Sequence, residues 1–147
     1  FGALALAFAC ASLMNSRLVM RVGMRRLSMI ALWNMVLAGA AAALVAREFP
    51  GGLPPLWLFM ILTSLIFFSV AGLFANFNAL AIAPLGHMAG TAASVINTVA
   101  TVGAVPIGFV ISQGYDGSVV PLFLGFAVLG CAALGFMMLA ERSRAPA

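Results

Sequence analysis

Lysine is absent from this chain of 147 residues, histidine occurs once, and Asp and Glu together number three. Charged residues make up only 7%, and between residues 49 and 115 there is no Asp, Glu, Lys or Arg at all. That scarcity excludes the solvated surface of an ordinary soluble domain. The seven arginines give a net charge of +4 but sit in a few short clusters, so the charge reports on topology and no nucleic-acid partner is expected. Cys10 and Cys131 both fall inside apolar runs, where a thiol acts as a small apolar group, and no disulfide is implied. There is no CxxC, HExxH, P-loop or Rossmann glycine pattern. A lone His87 with no carboxylate nearby in sequence cannot make a metal site by itself. The expectation is a protein that is not an enzyme, with no catalytic residue, metal or cofactor.

What is present is apolar: 65% of the residues are hydrophobic and the mean hydropathy is +1.19. This composition is that of an integral membrane protein, with runs long enough to cross a hydrocarbon layer of about 30 Å. As one helix, the uncharged run 49–115 would extend roughly 100 Å, so it must turn back on itself. The breaker cluster near its middle is Pro84, Gly86 and Gly90. Five spans are therefore expected, at about 1–14, 27–46, 56–83, 89–112 and 119–140. Their connections are "NSRLVMRVGMRR", "REFPGGLPP", the Pro84 turn and "QGYDGS". All five read as α-helices, because barrel strands would be about 9–11 residues long with in/out alternation.

Arginine placement orients the spans, since cytoplasmic loops are rich in Lys and Arg. Arg17, Arg21, Arg25 and Arg26 fall in the first connection and Arg142 and Arg144 in the tail, which five spans place on the same side. That side, with the C-terminus, is expected to be cytoplasmic, and Arg47 lies opposite. His87 then belongs to a cytoplasmic turn with Pro84, Gly86, Gly90 and Thr91, a solvated turn residue ahead of any chemistry. The short first run beginning at Phe1 suggests a fragment. "FGALALAFACAS" has some look of a signal-peptide core cleaved before Cys10, but it lacks a basic start and is followed by arginines.

Two stretches together resemble a known family. "NSRLVMRVGMRRL" followed by "FANFNALAIAPLGHMAGTAAS" is similar to the C-terminal half of the Bcr/CflA-type drug-resistance transporters of the major facilitator superfamily. The turn of that family, "P-x-G-H-x-A-G-T-A" after an asparagine-led segment, is matched by Asn76, Ala79, Leu80, Pro84, Gly86, His87, Ala89, Gly90, Thr91 and Ala92. The basic loop motif "G-x-L-x-D-R-x-G-R-R" is matched in register by Leu18, Arg21, Gly23 and Arg25. Ser16 stands at its first glycine and Met20 at its acid, which leaves a tight basic turn without an acidic partner. Ala75 and Met88 also depart from the family pattern.

The resemblance implies spans eight to twelve of a twelve-helix transporter, a partial C-terminal six-helix half, in a bacterial inner membrane. It implies three partners: the absent N-terminal half, the lipid bilayer and an amphipathic small-molecule substrate. The implied activity is proton-driven multidrug efflux by alternating access, with coupling residues in the absent half. A facilitator of another substrate class, or a non-transporting receptor or assembly subunit, remains open. The family pattern makes 56–83 a cavity helix, with Asn76, Phe77, Ser69 and Leu73 as candidate substrate-facing residues. Asn76 and Asn78 point about 200° apart on a helix, so Asn76 is expected to face the cavity and Asn78 to bond a neighbouring helix. Asn34 is likewise expected to bond a neighbour. The fourth span carries a stripe of Gly90, Ser94, Asn97, Thr101, Ala104 and Gly108, suited to close helix packing in lipid, and Pro106 should kink it.

Overall fold

The computed structural model describes residues 2–142, and no strand occurs among them. Five α-helices follow one another: α1 Gly2–Val22, α2 Met24–Arg47, α3 Leu56–Ile82, α4 Ala89–Gln113 and α5 Val120–Arg142. By length and composition there are four membrane-crossing stretches, because α3 and α4 are joined through a 3₁₀ turn, Ala83–Met88, into one helical run of 58 residues. These are the features of an all-α, multi-pass membrane protein. Phe1, at the head of the first expected span, and Arg144, in the expected basic tail, lie outside the described residues.

The expected basic loop is not a loop. Helix α1 continues through Asn15, Arg17 and Arg21 to Val22, and α2 resumes at Met24, so the connection is Gly23 alone. Arg, Leu and Met are good helix formers, and nothing before Gly23 interrupts the backbone ladder. Gly23 itself takes φ 86° and ψ 148°, a conformation open in practice only to glycine. Its N–H still closes α1 onto the Val19 carbonyl at 2.9 Å, and its own carbonyl accepts from Leu27 N–H at 3.1 Å.

Helix α3 packs against both α1 and α2, while α2 also packs along α5. The shared core is built on Leu32 and Met35 from α2, Ile66 and Leu73 from α3, and Phe123 and Leu134 from α5. Aromatic contacts stitch α3 to α5, with ring centroids of Phe59 and Phe123 5.9 Å apart and those of Phe67 and Phe126 6.2 Å apart. Small residues bring α2 and α5 together. A methyl at Gly39 would stand 3.0 Å from Ala127 N and 3.1 Å from Phe123 O, so backbone meets backbone there. Ala42, Ala43 and Ala46 continue this buried face of α2, as expected where packing replaces the hydrophobic drive.

Contacts at the helix ends set the directions. Arg25 of α2, Leu80 of α3 and Ala140 of α5 line one cleft, which places the start of α2 beside the ends of α3 and α5. At the opposite end Val119 N–H donates to Gly52 O at 3.2 Å, and a side chain on Gly52 would collide with Ser118. Five of the six described arginines therefore gather at the Gly23 end, and Arg47 sits at the other. Helix α4 departs from the bundle. Only Ala92 is buried in it, and toward its end Ile111 lies against Gly125 of α5.

Candidate functional site

A polar seam crosses the α1–α2–α3 packing, and glycine makes it possible. Gly72 of α3 lacks the side chain that would press on Asn15 Oδ1, 3.2 Å from where a Cβ would stand. Asn15 of α1 thereby comes close enough to α3 to exchange two hydrogen bonds with Asn76, one helical turn on from Gly72. Asn15 Nδ2 donates to Asn76 Oδ1 at 3.0 Å, and Asn76 Nδ2 donates to Asn15 Oδ1 at 3.1 Å. Asn76 is only 2% exposed, so this reciprocal pair satisfies an amide that burial would otherwise make costly. Two turns back along α3, Ser69 Oγ accepts from Asn34 Nδ2 of α2 at 2.6 Å. The expected bond from Asn34 to a neighbouring helix is present. Thr63, buried one to two turns further back, has a hydroxyl without a hydrogen-bond partner.

Beside the seam lies a groove of about 320 Å³ between α1, α2 and α3. Asn15, Asn34 and Ser69 contribute its polar groups, and Met14, Leu27 and Phe68 are among its apolar walls. Two amides and a hydroxyl in an otherwise apolar groove can orient an amphipathic molecule but supply no acid or base for chemistry. Among the described residues no three of His, Cys, Asp or Glu come together.

The four candidate cavity residues do not share one cavity. Ser69 lines the groove, Leu73 is in the core, and Asn76 is closed in its pair with Asn15. Phe77 turns the other way, into the cleft with Arg25 and Leu80. It is Asn76 that makes the interhelical bonds, and the half-buried Asn78, expected to bond a neighbouring helix, donates instead to Phe74 O of its own helix at 2.9 Å. The reason is the approach of α1 over Gly72, which a view of α3 alone could not reveal.

Arg17 and Arg21 ride the last turns of α1, with Arg25 and Arg26 on the first turn of α2. Pro84, Gly86 and His87 form the 3₁₀ turn, with Leu85 outside helical geometry at φ −110° and ψ 27°. His87 is exposed there, and Gly90 and Thr91 open α4. Ser94, Asn97, Thr101, Ala104 and Gly108 are all exposed on α4, which runs unbroken through Pro106. The hydroxyls of Ser94 and Thr101 donate to carbonyls of their own helix, each at 2.8 Å.

Polarity alone does not single out Asn15 in the sequence, because it stands where polarity begins to rise, ahead of Arg17. The signal that could have found it is its helical register: it precedes Gly23 by two turns with no breaker between. Compared with known proteins, the chain matches no protein-family model, no curated protein and no solved structure.

Proposed function

We propose that the chain is part of a secondary active transporter of the major facilitator type, a proton-driven multidrug efflux antiporter working by alternating access. The observation that carries this reading is the groove between α1, α2 and α3, where two asparagines and a serine punctuate an apolar wall. Such a lining suits amphipathic small molecules, which need apolar contact and one or two orienting hydrogen bonds. The resemblance of "NALAIAPLGHMAGTAAS" to the Bcr/CflA-type turn supplies the transporter class.

On this reading α3 and α4 are separate spans. A straight helix of 58 residues would extend about 87 Å, far beyond a bilayer of about 30 Å. The turn at Pro84–His87 returns the chain, and Ile111 beside Gly125 agrees with that return. Five spans put the arginine-rich end in the bacterial cytoplasm, with the end of α5. No acid lies within α1 to α4, so the proton-coupling groups belong to a companion N-terminal half, which also completes the cavity.

The test is ethidium efflux from bacteria expressing the complete reading frame that contains this chain, with and without a protonophore. Efflux that collapses with the proton gradient, and is absent when residues 1–147 are expressed alone, is the expected result. Efflux by the 147 residues alone, or an upstream frame that encodes no further spans, would overturn the half-transporter reading.

A further inference from the structure

A second cleft, of about 370 Å³, opens at the arginine-rich end between α2, α3 and α5. Phe77 and Leu80 of α3 and Phe136 and Met137 of α5 wall it, and Arg25 and Glu141 border it from the first turn of α2 and the last turn of α5. Phe136 is 75% exposed, a large ring turned outward where the helices end. The charges at this end are unequal: Arg17, Arg21, Arg25, Arg26 and Arg142 face a single described acid, Glu141. An apolar slot bordered by a guanidinium, at the level where a span leaves the hydrocarbon, matches the two ends of one kind of molecule.

We propose that this cleft binds an anionic phospholipid with a hydroxyl-bearing headgroup, such as phosphatidylglycerol. Arg25 takes the phosphate, because its planar fork matches two phosphate oxygens. Basic pockets between transmembrane helices on the cytoplasmic side take anionic headgroups in this way. Glu141 would repel a bare phosphate, but its carboxylate accepts a hydrogen bond from a headgroup hydroxyl, which selects a glycerol headgroup over a simple anion. One acyl chain lies along Phe77, Leu80, Phe136 and Met137. The inference rests on the membrane-spanning reading and not on transport, so its failure leaves the efflux assay untouched.

Native mass spectrometry of the full chain in a neutral detergent tests it, with phosphatidylglycerol, phosphatidylcholine and inorganic phosphate offered separately. Phosphatidylglycerol should be retained in preference to phosphatidylcholine, and Arg25→Gln should lower its retention at least roughly tenfold, because it replaces a two-point charge-assisted contact with, at most, one neutral hydrogen bond. Arg26→Gln changes the same net charge without touching the cleft lining and should have little effect. Ala133→Trp fills the cleft and should displace the lipid with the arginines intact, helicity being checked for each variant by circular dichroism. Equal retention of the two lipids, equal losses from Arg25→Gln and Arg26→Gln, or inorganic phosphate alone competing the lipid away would each overturn the proposal.

Discussion

At the scale of single residues, the Asn15–Asn76 pair joins α1 to α3, and removing Asn15 leaves the buried Asn76 carboxamide without its partner. Intramembrane side-chain hydrogen bonds average about 0.6 kcal/mol and reach roughly 1.7. A double-mutant cycle on Asn15→Ala and Asn76→Ala, read by thermal unfolding in detergent, should return a coupling energy in that range. Asn78→Ala should leave the midpoint nearly unchanged, since its amide serves only its own helix. Asp116 is the one acid with a shaped local environment. The Ser118 hydroxyl donates to its carboxylate at 2.6 Å, the Ser118 N–H adds a second bond at 3.1 Å, and together they hold the carboxyl below its ordinary value of 3.8. A lowered native value means the charged form is the one the fold favours. Whatever order this loop gains is complete above the ordinary carboxylate range and is lost as pH falls through the lowered value. The protection of the Ser118 amide, the intrinsic exchange rate divided by the observed rate at the same pH, should fall in that acid window, and Asp116→Asn should abolish this change in protection.

At the scale of elements, the α2–α5 contact depends on Gly39, whose missing side chain lets the two backbones touch. Gly39→Val should force them apart at a cost of roughly 1–3 kcal/mol, the usual range for overpacking. Its signature should be a lower unfolding midpoint, whereas the same change at Gly103, where a Cβ meets nothing within 4 Å, should be far milder. Hydropathy made the long helices legible, and the breaker cluster at Pro84 located the change between α3 and α4. The end of α1 was not legible for a physical reason. Arginines mark where a chain leaves hydrocarbon, but they are good helix formers, so Arg17 and Arg21 extend the helix past the point where apolarity stops. The candidate site was only half visible. The polarity of Ser69 and Asn76 on one α3 face could be read from spacing, but their partners could not, since partnering depends on which helix approaches over Gly72.

At the scale of the whole molecule, the ends carry different charge, and that asymmetry should fix how the protein sits. Single cysteines at His87 and Gly117, in a background without Cys10 and Cys131, should react with an impermeant maleimide from opposite faces, His87 from the cytoplasm. Labelling of both from outside would remove the five-span arrangement and leave the groove without a defined side. The background is accessible to such a test, because both native cysteines are free and exposed on the helix surfaces.

Helix α4 keeps its hydroxyl polarity to itself: Ser94, Thr98, Thr101 and Ser112 all donate to carbonyls of α4. None of these four groups is spent on a neighbour, so shape rather than hydrogen bonding seats the helix, as where the Ile111 side chain fits the space that Gly125 leaves open.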